Sequence, residues 1–69
     1  MIAVSVNGGE LSLAHGTTVQ ALVESLGAPG SGRGVAVALA GEVVPRSAWT
    51  ETELTDGMRI EVLTAVQGG

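Results

Sequence analysis

The sequence predicts an α+β domain in which one helix packs against one mixed sheet of four to five strands. Several short segments alternate apolar and polar residues, one segment has the apolar spacing of a helix, and glycine-containing turns separate them. The chain of 69 residues has room for one domain, and folding at this size buries only about 60% of the surface that the unfolded chain exposes. We therefore expect one small domain of modest stability.

The first part of the chain predicts a hairpin followed by a helix. Residues 1–6 alternate, the Asn-Gly-Gly of residues 7–9 tolerates positive φ, and the alternation resumes over residues 10–13. Thr17 and Gln20 have the spacing of a capping box, which predicts that a helix begins there. Gly27 suits the position just beyond the helix end. The predicted buried stripe of the helix is Val19, Leu22, Val23 and Leu26.

The second part predicts three more extended segments. Residues 35–39 form an apolar run, residues 40–41 a turn, and residues 42–44 a short strand that Pro45 confines to an edge. Trp49 follows in a loop, and as the only aromatic residue it is predicted to anchor the core. Residues 54–57 predict a tight turn, and the alternation over residues 58–63 predicts a closing strand.

Residues 27–34, Gly-Ala-Pro-Gly-Ser-Gly-Arg-Gly, are partly similar to a phosphate-binding loop. Arg33 stands where that loop needs lysine, and Gly34 stands where it needs a hydroxyl for Mg²⁺. The segment also follows a helix and precedes a strand, the reverse of the required order. We interpret it as a mobile linker.

Composition excludes several classes of function. Seven carboxylates against three arginines give a net charge of −4, which disfavours nucleic acid as a partner. Cysteine is absent, so the chain supplies no thiolate, and lysine is absent, so no side chain can accept an isopeptide bond. No apolar run approaches the roughly 18 residues of a membrane span, and no basic n-region of a signal peptide is present. We expect a cytoplasmic protein that does not associate with membranes.

The last five residues are the predicted functional segment. They follow the closing strand, so residues 1–64 are predicted to form the domain and residues 65–69 a flexible tail. Gly68 and Gly69 have no Cβ, and a tail that ends on them can thread a slot only as wide as a backbone. Its reactive group would be the carboxylate of Gly69. Alternatively, the chain simply stops on a flexible glycine pair.

Four short features stand in a fixed order along the chain. They are Val43-Val44-Pro45-Arg46, Trp49, Leu54-Thr55-Asp56-Gly57 and the terminal Gly68-Gly69. Together they resemble the sulfur carrier protein family of thiamine biosynthesis, which has a ubiquitin-like β-grasp fold. The resemblance spans the whole chain and depends on the order and spacing of the motifs, each weak alone. This chain departs from the family at Ala40, where a turn Asn is common, at Met58, where an Asp often stands, and at Gln67.

The resemblance implies a carrier that catalyses nothing itself and binds no cofactor. An ATP-dependent adenylating enzyme, which uses ATP and Mg²⁺, would activate Gly69 as an acyl adenylate. A persulfide from a cysteine desulfurase system would displace AMP and leave a thiocarboxylate, whose sulfur thiazole synthase would take into the thiazole ring. Gly69 is the implied site of covalent modification.

The tail also predicts how partners bind. Residues 65–69 fully extended reach only about 17 Å, so a partner must dock closely against the folded domain. Gln67 and Gly68 are predicted to thread the partner's active site, and Val66 and Ala65, with Leu63 beside them, to contact the partner. In the alternative, Leu63 packs on the sheet instead.

Other functions remain open at this point. The same carboxylate chemistry would serve a ubiquitin-like protein modifier or the small subunit of molybdopterin synthase, although the latter usually carries a Pro-Pro pair before its end. A plain binding module with an incidental tail is a further alternative. His15 has no second His and no Cys to form a metal site or a triad, and Arg46 is interpreted as an exposed surface cation.

Overall fold

A computed structural model describes residues 1–26 and 34–64 of the chain. The predicted order of one hairpin, one helix and three further strands is confirmed. In chain order the elements are β1 (Ile2–Val6), β2 (Gly9–Leu13), α1 (Val19–Ser25), β3 (Val35–Leu39), β4 (Glu42–Val44), a 3-10 helix (Arg46–Ala48) and β5 (Arg59–Thr64). Of the predicted linker over residues 27–34, residues 27–33 lie outside the described residues, and so does the predicted helix end at Gly27.

The five strands form one mixed sheet in the order β2-β1-β5-β3-β4. Only the β1–β5 pair is parallel, and the other three pairs are antiparallel. The last strand in the chain is thus the middle strand of the sheet. Strand β4 lies at an edge and ends at Val44, which confirms the position predicted from Pro45.

One side of the sheet packs against the helix, and the core between them is almost entirely aliphatic. Trp49 is 1% exposed, and its indole N–H donates to the carbonyl of Val44 at 3.0 Å, so the predicted anchoring role is confirmed. The short 3-10 helix before Trp49 was not predicted. The buried core residues are Ile2, Val4, Val19, Leu22, Val23, Val37, Trp49, Leu54 and Ile60.

The helix begins one residue later than predicted. Thr18, not Thr17, is the N-cap, and its hydroxyl accepts from the N–H of Ala21 at 3.2 Å. Thr18 is held extended by a bridge to Glu53, whereas the Thr17 hydroxyl donates to the carbonyl of Ala14. Gln20 makes no capping box either, because its side chain donates to Glu24.

The backbone carbonyls of Trp49 and Thr52 also accept hydrogen bonds from the start of the helix. The N–H of Val19 donates to the carbonyl of Thr52 at 2.9 Å, and the N–H of Gln20 to that of Trp49 at 3.1 Å. With Ala21 bonded to Thr18, the first three helical N–H groups all have partners.

The predicted apolar stripes are confirmed except at two leucines. Val19, Leu22 and Val23 are buried, but Leu26 is 47% exposed because the helix ends at Ser25 and Leu26 is already the C-cap. On β2, Leu13 is half-buried and Leu11 is 36% exposed, because β2 is an edge strand.

Two hairpin turns share the same backbone geometry. Asn7 and Gly8 have φ of 50° and 86°, and Ala40 and Gly41 have φ of 51° and 88°. Positive φ at both central residues is the pattern of a type I′ turn, for which Asn-Gly is favoured. Alanine at such a position is strained because its Cβ approaches the carbonyl oxygen.

We therefore expect Ala40→Asn to stabilise the domain. Asparagine tolerates the left-handed region, so the free energy of unfolding should rise by about 0.5–1 kcal/mol. Urea denaturation measured by circular dichroism would show it as a higher midpoint. Ala36→Asn, on β3 at negative φ, is the control and should give no gain; an unchanged midpoint for Ala40→Asn would contradict the strain argument.

Candidate functional site

The candidate site is the C-terminal end of β5 and the surface beside it. Strand β5 pairs with β1 on one side and β3 on the other, and its last residue, Thr64, pairs with Val35. The tail continues directly from this point. The predicted tail residues Ala65, Val66, Gln67, Gly68 and Gly69 lie outside the described residues.

Backbone and side-chain hydrogen bonds hold β5 against β1. The N–H of Ser5 donates to the carbonyl of Met58 at 3.0 Å, and the N–H of Asn7 to that of Ile60 at 2.9 Å. Side chains extend this ladder at both ends. At the start of β1, the Asp56 carboxylate accepts from the N–H of Ala3 at 2.8 Å.

At the other end, the side-chain amide of Asn7 bonds both backbone groups of Val62. Its Nδ2 donates to the Val62 carbonyl at 3.0 Å, and its Oδ1 accepts from the Val62 N–H at 2.8 Å. Val62 lies two residues before the end of β5. The strand is therefore held on its β1 side almost to the residue where the tail begins.

The face of the sheet away from the helix carries a small apolar surface. Ala38 pairs with Val43 on β4, and Ala36 pairs with Leu63 on β5, so these four side chains share one face. Val43 is 72% exposed and Leu63 is 68% exposed. We call Ala36, Ala38, Val43 and Leu63 the outer patch.

Charged and polar side chains border the outer patch on the same face. Glu61 pairs with Ala38 next to the outer patch, and Arg59 pairs with Ser5 on β1. Ser5 in turn pairs with Glu10 on the edge strand β2. An exposed apolar surface bordered by charges is typical of a site where another protein binds. Leu63 thus lies on the surface rather than in the core, one residue before the end of the described chain.

The titratable side chains of the described residues form no cluster suited to binding a metal. Within residues 1–26 and 34–64, no group of three or more His, Cys, Asp or Glu could hold a metal ion. His15 is exposed, and the Arg46 guanidinium lies 5.9 Å from the ring centre of Trp49. Among the helices of the same ranges, none combines the length and apolar character needed to cross a membrane.

Comparison with known proteins identifies the family. The model of the ThiS family matches residues 3–69, nearly the whole chain. The chain belongs to the ThiS family. Members of this family are sulfur carriers of thiamine biosynthesis, so the resemblance drawn from the sequence is confirmed.

Solved ThiS structures confirm the β-grasp fold. The crystal structure of the thiamine biosynthesis protein ThiS from Geobacter metallireducens is 31% identical, with a TM-score of 0.81 over 99% of this chain and 100% of that chain. The solution NMR structure of a thiamine biosynthesis protein from the same organism is also 31% identical, with a TM-score of 0.82 over 99% of this chain and 88% of that one.

A curated relative is much longer than this chain. The thiazole synthase of Paramagnetospirillum magneticum (strain ATCC 700264 / AMB-1) is 34% identical over 64 residues. The match covers 93% of this chain but 19% of that protein, so the chain spans about a fifth of the relative's length.

Sequence reasoning missed two parts of the site. Asn7 was interpreted only as a turn residue. On β3, the outward-facing Ala36 and Ala38 were given no role. The alternation of β3 and β4 already placed Ala36, Ala38 and Val43 opposite the core positions, so that signal was available. The contact between Asn7 and Val62 joins residues 55 apart in sequence, and no local pattern indicates it.

Proposed function

We propose that this chain carries sulfur as a thiocarboxylate on Gly69 and delivers it for synthesis of the thiamine thiazole ring. The observation that carries the proposal is the ThiS family match, which extends to the last residue and so includes the Gly68-Gly69 end. The chain acts as a carrier and a co-substrate of partner enzymes, and it catalyses no step itself.

The chemistry begins with activation, because a carboxylate is a poor electrophile. An adenylating enzyme binds ATP and Mg²⁺ together with the carrier. The Gly69 carboxylate attacks the α-phosphorus of ATP, pyrophosphate leaves, and an acyl adenylate forms. The terminal sulfur of a persulfide from a cysteine desulfurase system then attacks the acyl carbon and expels AMP. A second thiol cleaves the resulting S–S bond, is oxidised to a disulfide with the donor cysteine, and leaves the thiocarboxylate on Gly69.

Thiazole synthase is the proposed acceptor of this sulfur. The proposal is supported by the relative that is named thiazole synthase and contains a matching segment within a much longer chain. After transfer, the carrier returns as the carboxylate and can be loaded again.

Intact-mass measurement tests the proposal. The chain is incubated with ATP, Mg²⁺, an adenylating enzyme of the pathway and a persulfide source. The expected product has one oxygen of Gly69 replaced by sulfur. An unchanged mass, under conditions that load a known carrier, would overturn the proposal, and conjugates of higher mass would favour a protein modifier instead.

The outer patch is the proposed docking surface for the adenylating enzyme. The five residues of the tail reach only about 17 Å, so the partner must contact the domain near Thr64. Leu63 lies beside Thr64 and is exposed, and Val43 extends the apolar surface across β3 and β4. Ordering the tail opposes binding, so affinity must come from this surface, with Ala65 and Val66 adding contacts nearer the active site.

We expect Leu63→Asp to weaken this docking. A charge within an apolar interface centre should raise the carrier KM in ATP–pyrophosphate exchange by about 30-fold or more, with Val43→Asp giving a smaller increase in the same direction. Leu26→Asp is the matched control, since Leu26 is an exposed leucine at the helix end and not part of the outer patch. Equal KM values for the Leu63 and Leu26 variants would show that docking occurs elsewhere.

A further inference from the structure

The side chain of Asn7 makes the hydrogen bonds to β5 that the backbone of a longer β1 would make. The backbone ladder between β1 and β5 ends where the N–H of Asn7 donates to the carbonyl of Ile60, because the chain then turns into β2. The next groups of β5 that face this side are the N–H and C=O of Val62. The Asn7 amide supplies one acceptor and one donor to them, at 2.8 and 3.0 Å.

We propose that Asn7 is a positioning residue for loading the carrier: its amide holds the end of β5 against β1, so that the point of the domain from which residues 65–69 continue is fixed. The proposal rests on the proposed function. Val62 is flanked by Glu61 and Leu63, and Leu63 belongs to the outer patch. Holding Val62 therefore also holds the patch residue nearest the tail.

Loss of the Asn7 side chain would leave β5 from Val62 onward held only by its pairing with β3, so the end of the strand would fray more readily in the unbound carrier. Those residues would then have to be ordered again on binding, in addition to the tail. Ordering one residue again lowers affinity by about tenfold at the usual cost of backbone ordering, and the remaining pairing with β3 keeps the loss near this value. The chemistry at Gly69 would be unaffected once the complex has formed, so the effect should appear in KM and leave kcat nearly unchanged.

The second hairpin turn provides a matched control. Asn7→Gly keeps a residue that adopts positive φ freely, so the turn survives and only the amide is lost. Ala40→Gly makes the same kind of change at an equivalent backbone position, φ 51° against 50°. The Ala40 N–H also donates to β5, at the carbonyl of Arg59, 2.9 Å away, but its methyl group makes no hydrogen bond.

Amide hydrogen exchange of the carrier alone gives the first readout. In Asn7→Gly, exchange at Val62 and Leu63 should accelerate by about tenfold or more, with helix amides such as Leu22 unchanged. Ala40→Gly should accelerate exchange at none of these positions. Uniform acceleration across the whole domain would mean that Asn7 only stabilises the fold, and would overturn the proposal.

Carrier-dependent ATP–pyrophosphate exchange gives the second readout, at a temperature where every variant is fully folded. We expect Asn7→Gly to raise the carrier KM about tenfold with kcat within about twofold, and Ala40→Gly to match the unaltered protein. Failure of the unaltered carrier to be activated would overturn the proposed function, and the positioning role with it. Full activation of the unaltered carrier with an unchanged KM for Asn7→Gly would overturn the positioning role alone.

Discussion

Adding a single alanine after Gly69 should abolish sulfur loading. One extra residue moves the carboxylate by about 3.5 Å along an extended tail. In-line attack on the α-phosphorus requires close alignment, and a misplacement of even about 1 Å can cost roughly 100-fold in rate. We expect ATP–pyrophosphate exchange to fall by at least about 100-fold, with no thiocarboxylate detected by intact mass.

Competition against the unaltered carrier separates docking from chemistry in this variant. The extended chain retains the outer patch, so it should inhibit loading of the unaltered carrier with an inhibition constant close to the carrier KM. Loading of the extended chain at the normal rate would show that Gly69 is not the reacting residue. The sulfur would then have to be carried by another carboxylate.

Trp49→Ala should remove about a third or more of the free energy of unfolding of the domain. Trp49 is the largest fully buried side chain, and replacing a buried tryptophan by alanine costs about 3–5 kcal/mol. A domain of this size has a total stability of roughly 3–10 kcal/mol. The loss should appear in circular dichroism as a lower midpoint of the thermal transition.

Trp49→Phe tests the reason for that loss. Phenylalanine keeps most of the apolar volume but loses the indole N–H bond to Val44, so we expect a decrease in unfolding free energy of about 1–3 kcal/mol. If Trp49→Ala were no worse than Trp49→Phe, the core would not depend on the bulk of this ring.

The sequence predicted the elements well because their patterns are local. The alternation over residues 1–6 and 58–63 and the run over 35–39 each correspond to an observed strand, and Trp49 is the core anchor. The helix start was wrong by one residue, because the choice between Thr17 and Thr18 is made by a bridge to Glu53 far along the chain. Spacing alone cannot carry that information.

The roles predicted for the site residues stay predictions. Leu63 was identified as a contact residue from its position beside the tail, and the structure places it on the exposed outer patch. The roles of Gly69, Gly68, Gln67, Val66 and Ala65 stay predictions, since they depend on the terminal carboxylate and its partners. The Asn7–Val62 contact was not predicted, because Asn7 was interpreted only as a turn residue and its side chain was assigned no hydrogen-bond partner.

The central place of β5 has a consequence for synthesis of the protein. The sheet cannot be completed until its final strand has been synthesised, because β5 lies between β1 and β3 and joins them. A nascent or shortened chain that lacks residues 59–64 would leave two strand edges unpaired, which invites aggregation rather than a half-built domain. The domain can therefore fold only after translation has passed β5.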